Sequence, residues 1–124
     1  MGDEFSKYFT LKEISCKCGC GQALISPELY KIMDEIRAMT GEINVHCVNR
    51  CKKHNKEVGG VASSKHIKGQ AMDCNSMTMD IKDFQEFLLN LWKDGTITDL
   101  GLYDTFVHVG IRKDRKYFWD NRTK

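Results

Sequence analysis

A chain of 124 residues has room for one domain around one core, which excludes a multidomain machine or a tandem array. With 41% hydrophobic and 29% charged residues and a single proline, the composition is that of a folded protein rather than a disordered tail. Nineteen Lys and Arg against seventeen Asp and Glu leave a formal charge of +2, too small to make nucleic acid or an anionic membrane the default partner.

The opening Met1-Gly-Asp-Glu-Phe-Ser6 lacks the basic and apolar regions of a secretory signal, and no stretch approaches the roughly 20 apolar residues of a membrane span. The expectation is a product made in the cytoplasm without a signal peptide, monomeric, one domain over 1–124 with 1–8 and 120–124 peripheral. Along the chain, Thr10-Leu-Lys-Glu13 has the form of a capping box and predicts a short helical turn. Six cysteines follow at 16, 18, 20, 47, 51 and 74. Without a signal peptide they are expected as free thiols. The tight Cys16, Cys18, Cys20 cluster is spaced more closely than common zinc sites, and a matching distal pair is not obvious. It reads as a cysteine-rich turn, with metal binding and disulfides left open.

Ser26-Pro27 supplies an N-cap and a first-turn proline for a helix carrying Leu29, Ile32, Met33, Ile36 and Met39, stopped near Gly41. Alternation at Ile43, Val45 and Cys47 predicts a strand leading to Arg50. A short polar helix fits Cys51 to Val58, ended by Gly59-Gly60, and the run from 61 to 75 keeps neither period for long. Thr78 is placed to cap a second main helix with Ile81, Phe84, Phe87, Leu88, Leu91 and Trp92 on one face, stopped at Asp94-Gly95. Two strands, Thr96 to Tyr103 and Phe106 to Arg112, join near Asp104; Val107, Val109 and Ile111 point one way and His108 the other. The aromatic run Arg115 to Trp119 has no assigned place. The fold class is therefore α+β, a small antiparallel sheet covered by two main helices.

The chemistry concentrates in Ser64-Lys-His66-Ile-Lys-Gly69-Gln-Ala71-Met-Asp73. His66 and Asp73 are ligands suited to a borderline cation, Gly69 permits the chain to turn between them, and His108 on the open strand face offers a third. Three protein ligands leave one coordination position open, the mark of a catalytic rather than a structural zinc. Water bound there on zinc falls from a pKa near 15.7 to about 7, which suits amide hydrolysis.

Beyond that spacing, the sequence resembles the zinc D-alanyl-D-alanine carboxypeptidases and their phage endolysin relatives, which share a compact fold with the hedgehog signalling domain. The resemblance runs through Phe9-Thr-Leu-Lys-Glu13, Val45 to Arg50, Asn55-Lys-Glu-Val-Gly-Gly60, the S-x-H-x-x-G-x-A-x-D of Ser64 to Asp73, and Gly101 to Arg112. It implies Zn2+ on His66, Asp73 and His108 and a peptidoglycan stem peptide as substrate. It also implies Arg50 clasping a terminal carboxylate or steadying an oxyanion, unless that arginine only bonds loop carbonyls, with Ser64, Tyr103 and Arg112 as further substrate contacts. The implied activity is a D,D-carboxypeptidase or cross-link endopeptidase, as in a phage or prophage product acting on the wall after release.

Departures from that pattern bear on the proton acceptor. Relatives place a carboxylate three residues before the last histidine, where this chain has Thr105; Asp104, four before, is the candidate base only if a bulge or turn re-aims it. Tyr103, His46 or Arg112 are the substitutes. Cys47 and Val48 stand where relatives show Ser-Gly, and Gly110 where an Asp is common. Two other readings stand beside the hydrolase: a non-catalytic module whose metal takes Cys74 or His46 as a fourth ligand, and a nucleic-acid binder using Arg112 to Arg122.

Overall fold

Reciprocal capping starts the first helix. In the computed structural model, which describes residues 6–60, 64–112 and 115–123, the Thr10 amide donates to Glu13 Oε1 at 2.9 Å and the Glu13 amide to Thr10 Oγ1 at 3.2 Å. That box holds α1 (Leu11–Ile14), whose Ile14 is fully buried. Ser26 caps α2 (Pro27–Thr40), accepting from the Leu29 amide at 3.1 Å. Leu29, Met33 and Ile36 enter the core, but Met39 is 61% exposed. Thr40 takes the last inward position, its hydroxyl satisfied by the Ile36 carbonyl at 2.7 Å. The last inward position of the predicted stripe thus falls one residue later, at Thr40 instead of Met39.

Strand β1 (Ile43–Cys47) leads to Arg50 as expected, and α3 (Lys52–Glu57) follows with Cys51 as its cap. Of the run read as irregular, residues 61–63 lie outside the described residues, as do 1–5 and 124 of the expected peripheral ends. The remainder is more ordered than its pattern suggests: a 3-10 helix, Lys65–Lys68, and then β2 (Ala71–Ser76). Strand β2 is internal to the sheet with Ala71, Met72 and Cys74 all buried, so the polar-apolar alternation that betrays an edge strand is weak. Helix α4 (Ile81–Lys93) is capped by Asp80 rather than Thr78. The Thr78 hydroxyl instead donates to the Thr40 carbonyl, tying the start of α4 to the end of α2.

Strands β3 (Asp99–Leu102) and β4 (Val107–Gly110) form the predicted hairpin, and the unplaced aromatic run becomes β5 (Tyr117–Asp120). The sheet order is β1-β2-β4-β3-β5; β5 joins β3 in parallel, while the other pairs are antiparallel. One sheet face packs Met72, Cys74, Leu100, Leu102, Val107 and Val109 against Leu29, Met33 and Ile36 of α2 and Phe84 and Leu88 of α4. Each fully buried side chain of this size contributes about 1.5–3 kcal/mol. Because side chains alternate along a strand, covering that face leaves Asp73, His108, Gly101 and Trp119 on the other.

Candidate active site

The register builds the site. Asp73 lies opposite His108, His108 opposite Gly101, and Gly101 opposite Trp119, so one row crosses four strands. Two adjacent strands place Asp73 Oδ1 2.9 Å from His108 Nδ1. His66 reaches the same carboxylate from the 3-10 helix, with Nε2 3.2 Å from Asp73 Oδ2. Ser64 caps that helix through the His66 amide, and Gly69 ends it with φ +67°. A Cβ at Gly69 would lie 2.2 Å from the Leu24 carbonyl oxygen, so position 69 needs glycine for space as well as for its backbone angle.

His66 is oriented from behind. Its Nδ1 lies 2.9 Å from the Val48 carbonyl oxygen, which can only accept, so Nδ1 carries the proton and a neutral ring aims its Nε2 lone pair at Asp73. Two acceptors at 3.2 Å repel unless a proton or a cation stands between them. In the metal-free protein it is a proton. Burial favours the neutral ring, but the hydrogen bond to Asp73, with Cys47 adding to it, outweighs burial and pushes His66 up to about 10. Burial likewise works to raise Asp73, and hydrogen bonds from His108 and His66 overcome it, holding the carboxylate well below its usual range.

The donor set fits a small divalent cation. Nitrogen and oxygen ligands at about 2.0–2.2 Å in a tetrahedron stand about 3.4 Å apart. One ligand atom from each of His66, Asp73 and His108 lies within 4.8 Å of the others, and the second-sphere Val48 carbonyl is of the kind that metal-bound imidazoles use. That contact is made by backbone, so it does not depend on the side chain at position 48.

Around these ligands lies a cleft of about 300 Å³, lined also by Arg50, Ser64, Lys65, Tyr103, Arg112 and Trp119. The Arg50 amide donates to the His66 carbonyl at 3.0 Å, so the arginine and the histidine are fixed together. Its Nη2 is 3.5 Å from Ser64 Oγ, while its Nε is buried with no hydrogen-bond partner among the described residues. On the opposite wall, Trp119 packs on His108 at 5.0 Å and donates from Nε1 to Tyr103 Oη at 2.9 Å. Tyr103 in turn stacks on Phe106 with ring centroids 4.3 Å apart. Gly101 makes this possible, since a Cβ there would meet the indole at 2.3 Å.

Arg112 is held differently from Arg50. Its Nε and Nη2 contact both oxygens of the fully buried Asp99 at 2.8–3.0 Å, and its guanidinium lies 4.0 Å over Tyr117. Asp99 pairs with Gly110, and a Cβ at Gly110 would lie 3.1 Å from Asp99 Cβ and 3.2 Å from its Oδ2. Asp99 therefore occupies the space that a side chain at position 110 would need.

Other expected participants stand elsewhere. The β3–β4 ladder runs without a bulge, and Asp104 accepts from the Thr123 amide and hydroxyl at 2.7 and 2.6 Å. It does not line the cleft. His46 bonds Asn75 Oδ1 at 2.6 Å, and Cys74 points into the core on the face opposite Asp73, so neither approaches the three ligands.

A family model, Peptidase M15, matches residues 7–110. The chain belongs to the peptidase M15 family. Comparison with curated proteins gives no match. As an M15 peptidase it is a member of a metallopeptidase family, and His66, Asp73 and His108 all fall inside the matched span. Trp119 falls outside it, on β5. Neither Trp119 nor Asp99 was singled out from the sequence: the tryptophan lies on a strand whose place only pairing reveals, and the aspartate reads as an ordinary polar strand residue. No helix among the described residues is long and apolar enough to cross a membrane.

Proposed function

We propose that this protein is a zinc-dependent hydrolase of peptidoglycan stem peptides, cutting a bond next to D-alanine as a D,D-carboxypeptidase or cross-link endopeptidase. Bound through His66, Asp73 and His108, the ion would polarise the scissile carbonyl and activate water at neutral pH. The observation carrying the reading is the pairing of that ligand set with Arg50, whose buried Nε has no partner among the described residues. A guanidinium that has no carboxylate partner among the described residues, beside a cation site, suits a substrate that brings its own carboxylate or develops an oxyanion. Tyr103 accepts from Trp119, which leaves the phenol proton to donate into the cleft toward the same developing charge. Ser64 positions Arg50 and His66, and Arg112, neutralised by Asp99, shapes the wall. The endolysin-like setting, a phage or prophage product reaching the wall after release, follows from the resemblance of the motifs.

A second reading, a metal-stabilised binding module, is favoured by one observation: Asp73 is the one carboxylate among the described residues lining the cleft. Mass spectrometry of peptidoglycan and of synthetic stem peptides incubated with zinc-loaded protein separates the two. New termini at D-alanine, lost with His66→Ala, support the hydrolase. Unchanged peptides, with a working wall hydrolase in parallel, favour the module.

A further inference from the structure

A second group of metal-ligating side chains lies away from the cleft. Cys16, Cys18 and Cys20 sit on a loop after α1, and Cys51 precedes α3, yet their sulfurs converge. Cys16 Sγ is 3.5 Å from Cys18 Sγ and 3.7 Å from Cys51 Sγ; Cys18 and Cys51 are also 3.7 Å apart. All four sulfurs lie within 4.8 Å of one another. Sulfurs bound at about 2.3 Å to a tetrahedral zinc stand about 3.8 Å apart, whereas a disulfide requires about 2.05 Å. The three distances among Cys16, Cys18 and Cys51 match the edges of one face of an S4 tetrahedron, and Cys20 lies within reach of its fourth corner.

Backbone amides complete the picture. The Cys51 amide points at Cys16 Sγ from 3.3 Å and the His54 amide at Cys51 Sγ from 3.4 Å, donors of the sort that stabilise thiolate ligands. Cys18 and Cys20 reach the same point despite their short spacing because Gly19 turns the chain with φ +86°. No atom lies within 4 Å of a Cβ built there, so the glycine serves the backbone angle and not space.

We propose that Cys16, Cys18, Cys20 and Cys51 form a structural tetrathiolate zinc centre that clamps the N-terminal loop to the segment carrying Arg50. The cysteines bind as thiolates, their thiol protons passing to solvent, and Lys17, next to Cys16 and Cys18, and Lys52, next to Cys51, bring positive charge in sequence beside the resulting double negative charge. The clamp has a job. One-turn α1 is anchored in the core by Ile14, but the loop after it is tied to the segment before α3 by hydrogen bonds such as that from the Leu24 amide to Asn49 Oδ1, and Cys51 is the residue after Arg50. Closing this 35-residue separation with one ion fixes the approach to the cleft without entering it. The inference stands apart from the hydrolase reading, because it concerns other ligands and another readout.

Cobalt titration of the full chain under reducing conditions, with elemental analysis of the zinc form, tests it. The wild type is expected to hold two zinc ions per chain and, with cobalt, to show the near-ultraviolet thiolate-to-metal charge-transfer band of a tetrahedral S4 site. His108→Ala should keep that band and one ion, and Cys18→Ser/Cys20→Ser should lose it. Should the cysteine variant fail to fold, the His108→Ala spectrum decides alone. A wild-type cobalt spectrum without thiolate charge transfer, or disulfides among these four positions that persist under the reducing conditions, overturns the proposal.

Discussion

If Asp99 supplies from β3 the carboxylate that the family pattern places at 110, moving it back should restore most of what its loss costs. Asp99 is fully buried, Arg112's side chain is 18% exposed, and three contacts of 2.8–3.0 Å join them. Asp99→Gly takes the buried carboxylate away from the guanidinium, at about 3–5 kcal/mol for a broken buried pair. Gly110→Asp alone forces a Cβ to 3.1 Å from Asp99 Cβ and sets two carboxylates side by side, which costs at least about 1–3 kcal/mol in overpacking. In the double variant the clash is gone and the new carboxylate stands on β4 itself, opposite position 99 and two residues before Arg112 in the chain. The two costs should then fall short of additivity by about 2 kcal/mol or more, read from urea unfolding followed by tryptophan fluorescence with the denaturant slope unchanged. Additive costs, to within about 0.5 kcal/mol, would refute the exchange.

Gly101→Val should drive Trp119 off His108 and out of contact with Tyr103, costing about 1–3 kcal/mol in overpacking; a tryptophan emission spectrum that matches the wild type would count against the wall as described. Asp104→Asn should keep peptidase activity to within about twofold, since the carboxylate bonds Thr123 and not the cleft; a loss of a hundredfold or more would return it to the role of base. Metal loading should release a proton from His66, because that ring, raised to about 10, is protonated in the metal-free protein at neutral pH. Affinity should then climb about tenfold per pH unit between roughly 7 and 10, and calorimetry in buffers of different ionisation enthalpy would expose the proton. In chelated protein the same raised pKa gives stability that is complete below 6.5 and lost progressively as pH rises to about 10, visible as a falling melting temperature; a flat profile over that window would contradict it.

Local signals carried the helices and the hairpin. Ser26-Pro27 and Thr10-x-x-Glu13 name their caps because a cap is a contact over three residues, and Asp94-Gly95 stops α4 for the same reason. What depends on distant partners was hidden. Thr78 resembles a cap until Thr40 claims its hydroxyl, and β5 has no sequence cue for pairing in parallel with β3. Spacing suggested the two histidines and the aspartate, with a turn at Gly69 and a strand histidine facing away from the valines, but it was the resemblance of the motifs that singled out this trio among the possible ones. Asp104 was misleading for a complementary reason: counting residues back from His108 cannot tell that the turn hands the carboxylate to Thr123. Cys51 shows the same limit, since the fourth thiol of its cluster is brought in from 31 or more positions away.

Diffraction from zinc-soaked crystals, recorded on both sides of the zinc absorption edge, addresses the centre of this account. It predicts an anomalous peak about 2.0–2.2 Å from one atom each of His66, Asp73 and His108, on the floor of the cleft beside Arg50. Zinc bound elsewhere in the same crystals, with no peak between those three side chains, would contradict it.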